Sequence, residues 1–149
     1  MNDLSLRMAE SGDAPEIARL LRRTLATALP YLPVLHTPEE DVAFISGHVL
    51  PTCAVWIAET EQIAGFIAFR FGWIDNLYVD VPYHSRGIGS ALLATAFDAH
   101  DRLQLWVFQR NAAALRFYQR KGFQLVETTD GSRNEEKEPD ARLLWQREC

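Results

Sequence analysis

Cysteine is nearly absent from this chain: two occur in 149 residues, Cys53 and Cys149, far apart and outside any C-x-x-C pair. A disulfide framework is therefore not expected, and neither is a thiolate zinc site or any other metal centre. Positive charge is also in short supply, since 15 Lys and Arg against 20 Asp and Glu leave a formal charge of −5. Without a basic field, nucleic acid and anionic membrane are not the expected partners. No apolar run reaches the length that spans a bilayer, and the opening MNDLSLRMAE lacks a basic segment followed by an apolar one. Neither a membrane anchor nor a secretory leader is expected, and the cytoplasm is the expected compartment. Internal repeats are missing too.

What is present is 48% hydrophobic residues in periodic segments, enough for one globular domain over residues 1–149. LSLRM (4–8) alternates as a short strand. The segment that follows carries Asp13, Pro15 and Glu16 at its start, the pattern of a capping carboxylate with a capping box, and Ala14, Ile17, Ala18, Leu21, Leu25 and Ala28 on one helical face. Thr37, Pro38 and Glu40 open a second helix that Pro51 is expected to end. CAVWIAE and IAGFIAFRF, separated by TEQ, read as a hairpin, and IDNLYVDV (74–81) as a further strand. A helix to about His100, the strand LQLWVF, the helix NAAALRFYQRKG and the strands FQLVET and ARLLWQ complete the order βααβββαβαββ. This order predicts an α/β fold with a central mixed sheet flanked by helices on both faces. The polar stretch TTDGSRNEEKEPD reads as a loop between the last two strands. Trp56, Trp73, Trp106 and Trp145 all fall in predicted strands, where core packing is the ordinary expectation.

The stretch HSRGIGSALL (84–93) puts Gly87 and Gly89 between a strand and a helix. Free backbone amides and the positive end of the helix dipole converge on an anion in that arrangement, and glycine removes the side chains that would hold a phosphate away. The alternative is a pair of turn glycines opening a helix. A Walker A loop fails because Ser90 follows Gly89 with no lysine, and a dinucleotide fingerprint fails because Leu92 stands where the third glycine belongs.

LYVDVPYHSRGIGSALL resembles the signature of the GNAT acetyltransferases, in which a strand leads into [Q/R]-x-x-G-x-[G/A]. NAAALRFYQRKGF resembles that family's second signature, N-x-x-A-x-x-F-Y-x-x-x-G-F. The departure is at the head of the first motif, where His84 and Ser85 replace the usual residues. The resemblance covers nearly the whole chain and implies an N-acetyltransferase with acetyl-coenzyme A as co-substrate. The acceptor would be a primary amine of a small molecule or peptide, attacking directly in a ternary complex, since no cysteine falls in either motif to form an acyl-enzyme. Arg86, Gly87, Ile88, Gly89 and Ser90 would then cradle the pyrophosphate. The backbone of Leu77, Val79 and Val81 would bind the pantetheine as an added strand, with the Val79 amide facing the oxyanion. Tyr118 would be the acid that protonates the leaving thiolate.

Asn111 suits a helix N-cap and, by the same resemblance, lies beside the pantetheine arm. Gly122 reads as the end of that helix. Asp75 shares a face with Leu77 and Val79 if the strand runs regularly and is the candidate base; the other reading makes Asp75 and Asn76 a turn. Trp73 and Trp106 stand where relatives sometimes carry a glutamate, so a water chain is an alternative to a direct base. Tyr31 and His36 fall in the segment expected to wall the acceptor site, and Glu135 and Glu136 either attract a cationic amine or form a solvated charge run. A non-catalytic acyl-coenzyme A sensor or regulatory module is the competing function, and free strand edges offer a route to a homodimer.

Overall fold

The computed structural model describes residues 4–84 and 86–148. Seven strands, β1 (Ser5–Met8), β2 (Ala54–Glu59), β3 (Ile63–Arg70), β4 (Trp73–Val79), β5 (Arg102–Phe108), β6 (Gln124–Thr128) and β7 (Asp140–Gln146), form one sheet in the order β1-β2-β3-β4-β5-β7-β6. Neighbours are antiparallel except β4 and β5, which are parallel. The four main helices are α1 (Ala14–Ala28), α2 (beginning over Pro38–Phe44), α3 (Ile88–Ala99) and α4 (Ala112–Arg120). The expected order βααβββαβαββ and the mixed sheet are what the chain adopts. The second crossover carries a feature that the order does not reveal: β7 inserts between β5 and β6.

Two apolar layers sandwich the sheet. Ile67, Ile74, Leu92, Leu93, Leu103, Leu105, Phe123 and Leu143 fill the side under α3 and α4, while Ile17, Leu20, Ile45, Ile57 and Phe66 fill the side under α1 and α2. The buried face of α1 is Ala14, Ile17, Ala18, Leu20 and Thr24, whereas the expected Ala28 is exposed. Its start also differs. Asp13 makes no capping bond within α1, because Arg7 holds its carboxylate at 2.9 Å through both terminal nitrogens. Thr37 and Glu40 do form the expected capping box, with bonds of 3.1 and 2.9 Å. Pro51 does not stop α2 at once. A π-helical turn at Ile45–Val49 precedes it, and the helix ends in Leu50–Thr52, so the proline sits in a last turn already loosened for its missing N–H.

Gly65 lies in the most buried strand, where a Cβ would come within 2.8 Å of the Tyr78 carbonyl oxygen and 3.3 Å of Leu92 Cδ1. Only hydrogen fits there. Gly65→Ala is expected to cost about 1–3 kcal/mol by forcing β3 away from β4, read as a lowered urea midpoint at unchanged slope.

Candidate active site

β4 and β5 are in register only at Trp73↔Gln104, and beyond that pair the two parallel strands part. The Asp80 N–H donates to the Ala64 carbonyl of β3 at 2.8 Å. By strand alternation the polar backbone groups of Leu77 and Val79 point the other way, into the gap. His84 bears this out: its Nε2 lies 2.7 Å from the Val79 carbonyl oxygen.

A cleft of about 640 Å³ opens along this edge. Leu77, Val79, Val81, Gly87, Ile88, Gly89, Ser90, Asn111 and Tyr118 all line it, together with Thr24 and Leu29 from the α1 end. Residues 36 positions apart in sequence, such as Leu77 and Ala113, are thus neighbours on one wall. Gly87 has φ +76°, a left-handed conformation that costs other residues about 1 kcal/mol or more. Ala91 donates the first intrahelical bond of α3, to Gly87, so the amides of residues 88–90 remain without helical acceptors at the mouth of the cleft. Gly89 allows close packing against Phe117, whose Cζ would be 3.4 Å from an added Cβ.

The Asn111 side chain accepts from the Ala114 N–H at 3.2 Å, capping α4 while lining the cleft. Tyr118 is 8% exposed, and among the described residues its hydroxyl has no hydrogen-bond partner. Burial, helped by the nearby Tyr78, pushes its phenol well above the ordinary range, which keeps it protonated. Arg86 is exposed and does not line the cleft; its guanidinium lies 5.6 Å from the Tyr83 ring centroid. Ser85 lies outside the described residues.

Asp75 departs from the regular-strand expectation. The register of β3 and β4 shifts between Ala68 and Phe69, so Asn76 pairs with Ala68, Ile74 with Phe69, and Asp75 is the extra residue. Ile74 therefore joins Leu77 and Val79 in the layer under α3. The Asp75 carboxylate instead accepts from Arg70 Nε at 2.7 Å and Cys53 Sγ at 3.5 Å, at the edge of the gap. Trp106 corrects the core expectation for tryptophan, being 46% exposed on β5.

Three contacts had no sequence signal. Arg23 of α1 grips Asp80 through Nε and Nη2, the closest approach being 2.6 Å, and Asp80 also accepts from the Val81 N–H at 3.0 Å. This fixes the segment that leads from β4 into the glycine turn. On the other side, Arg110 pairs with the buried Glu138 at 2.7 and 2.8 Å and lies 3.6 Å from the Tyr31 ring centroid. His36 meets Glu135 at 2.5 Å, so the segment after α1 is tied to the loop between β6 and β7.

The family model for the acetyltransferase (GNAT) domain matches residues 51–125, which contain β4, the glycine turn and α4. The chain belongs to the GNAT family. Peptidyl-lysine N-acetyltransferase YiaC of Escherichia coli is 26% identical to this GNAT chain over 124 residues, 82% of the chain and 84% of the relative. The fold superposes on apo YjaB from Escherichia coli with a TM-score of 0.80 at 21% identity, covering 98% and 99% of the two chains. It also superposes on the PaiA N-acetyltransferase of Thermoplasma acidophilum, solved in complex with coenzyme A, with a TM-score of 0.79 at 18% identity, covering 97% and 99%. Among the described residues no helix is long and apolar enough to cross a membrane.

The Arg23 grip lowers the Asp80 pKa below the ordinary carboxylate range. A depressed folded pKa stabilises above the unfolded value near pH 4, about 3.9 for aspartate, and that stability is lost as pH falls through the folded value. Arg23→Met is expected to cost on the order of 1–3 kcal/mol at pH 7. The deficit against wild type should shrink as thermal melts are repeated from pH 5 down to pH 2.

Proposed function

We propose that this GNAT chain is an N-acetyltransferase that moves the acetyl group of acetyl-coenzyme A to a primary amine by direct attack in a ternary complex. The observation that carries this reading is Tyr118: a phenol whose ring is nine-tenths buried and whose hydroxyl, without a protein partner among the described residues, reaches the space where the cleft meets the parting of β4 and β5. A hydroxyl left unpaired in such a place is poised for a group that the chain does not itself supply.

The cleft suits the donor in shape and chemistry. The free amides of residues 88–90 and the left-handed turn at Gly87 suit a pyrophosphate. The unpaired edge at Leu77 and Val79 suits the peptide-like pantetheine, which adds to it as a strand would. His84 already occupies the Val79 carbonyl, so the Val79 amide is the edge group free for the thioester oxygen as it becomes an oxyanion.

In the reaction, the neutral amine attacks the thioester carbon, the carbon–sulfur bond breaks, and the amide forms. The amine nitrogen gives its proton to water in the gap, and the departing sulfur takes one shared by Tyr118, whose hydroxyl recovers it from solvent. Because an ordinary phenol, at about 10, already lies above a thiol, at about 8.5, and burial raises Tyr118 further, full transfer is uphill. Hydrogen bonding to the developing thiolate is accordingly the main contribution of Tyr118. Asp75 keeps its place at the gap, with its carboxylate engaged by Arg70 and Cys53. The peptidyl-lysine acetyltransferase activity named for the YiaC relative supports an alkylammonium acceptor here.

Tyr118→Phe is expected to lower kcat by about 100-fold while leaving the calorimetric affinity for coenzyme A within about twofold. The assay is thiol release from acetyl-coenzyme A in the presence of amines. Turnover unchanged in the variant would remove Tyr118 from the chemistry, and coenzyme binding without any turnover in wild type would favour a sensor.

A further inference from the structure

If acetyl transfer is the activity, the acceptor must reach the thioester from the side that the donor leaves open. Leu103, Leu105 and Val107 of β5 are buried under α3 and α4, so alternation turns Trp106 to the opposite face of the sheet. A cavity of about 480 Å³ opens on that face, walled by Trp106, Phe108, Glu127, Glu136 and Asp140 among others. Trp106, Val107 and Phe108 also line a narrow throat at the parting of β4 and β5, of about 100 Å³. That throat in turn shares Tyr118 and Asn111 with the donor cleft. The outer cavity, the throat and the cleft therefore adjoin in that order, with Tyr118 between the last two. The throat is smaller than the ~150 Å³ cavity known to hold a benzene-sized guest. An alkyl chain suits it.

The charge on the outer wall is unevenly answered. Glu127 is held by Arg142 at 2.6 Å. Asp140 accepts from neutral groups, the Thr129 hydroxyl and the Asn134 amide. Glu136 has no ion-pair partner among the described residues, and Arg22, whose charge it feels, is already committed to Asp41 through two bonds of 2.8 and 3.0 Å. Arg133 also lines this wall without an ion-pair partner among the described residues, so two unpaired carboxylates, Glu136 and Asp140, stand against one cation and leave the wall net negative. An exposed indole flanked by carboxylates without cationic partners is a surface that binds an ammonium group, by cation–π attraction and by charge together.

We propose that the outer cavity takes the tail of an elongated aliphatic acceptor with a second positive charge, Glu136 and Asp140 holding the far ammonium against Trp106 while the reacting nitrogen reaches the throat. The proposal rests on the acetyltransferase reading above, and its test does not require turnover. Coenzyme A linked through its sulfur and an acetyl bridge to 1,4-diaminobutane is titrated calorimetrically into the intact chain. The same conjugate made with n-butylamine, and plain coenzyme A, are titrated alongside.

The charged tail is expected to bind about tenfold more tightly than the butyl tail. Glu136→Gln should close that gap, and Trp106→Ala should weaken both conjugates toward plain coenzyme A. Each variant's affinity for plain coenzyme A reports that it is folded. Equal binding of the two conjugates, or a gap that survives Glu136→Gln, would overturn the acceptor class while leaving the donor site standing. Failure of plain coenzyme A to bind wild type would remove the donor reading, and this proposal with it.

Discussion

The parting of β4 from β5 is the constraint on which the site depends. Two parallel strands that share a sheet would normally pair along their length, and here they meet at Trp73↔Gln104, where the Gln104 N–H donates to the Gly72 carbonyl, and then diverge. Backbone polar groups turned into the gap must find partners, since leaving them dry and unpaired costs as much as losing a hydrogen bond. The chain satisfies one of them internally, the Val79 carbonyl through His84. The rest of that edge calls for solvent or a ligand with amide-like groups. The bulge at Asp75 belongs to the same geometry, because an extra residue bends its strand and strengthens the local twist just where β4 leaves its neighbour.

Around this gap the two faces of the sheet are coupled by a single turn. Arg110 and Asn111 are adjacent, yet Asn111 caps α4 on the donor side while Arg110 clasps Glu138 and the Tyr31 ring on the other. Glu138 is 8% exposed, a burial that a carboxylate tolerates because the guanidinium fork answers both of its oxygens. Asn134 reinforces the loop, donating to the Glu138 carbonyl at 2.7 Å and accepting from its amide at 3.2 Å. The polar stretch between β6 and β7, which reads in sequence as a loop, is consequently a wall of the cavity through Arg133, Asn134 and Glu136.

What was legible in the sequence was local. The glycine turn, the Asn111 cap, the Thr37–Glu40 box and the hairpin of β2 and β3 each depend on residues within a few positions of one another, so spacing alone reveals them. Gly122, with φ +98°, ends α4 for the same local reason. What sequence could not supply was register and long-range pairing. The position of Asp75 turns on a single inserted residue, and a one-residue slip moves a side chain to the other face. Arg23 and Asp80 stand 57 positions apart, and Arg110 and Glu138 stand 28 apart, with nothing in either local pattern to announce the other. Trp106 suits a core position because β5 is apolar, but on its face of the sheet it meets a cavity shared with the loop between β6 and β7.

The distribution of charge around the gap then follows a pattern that bears on acyl transfer. Negative charge develops there on the thioester oxygen and on the leaving sulfur, so a fixed anion close by would oppose the reaction. Tyr78 and Tyr118 approach the gap from opposite faces, and burial keeps both phenols in their neutral form. The carboxylates nearest the donor side are each held by an arginine, Asp75 by Arg70 and Asp80 by Arg23. Glu136 and Asp140 escape such pairing on the opposite face, where the proposed acceptor would bring a cation. On the proposed reading the chain separates a neutralised donor side from a net negative approach, and the boundary between them is the line along which β4 and β5 part.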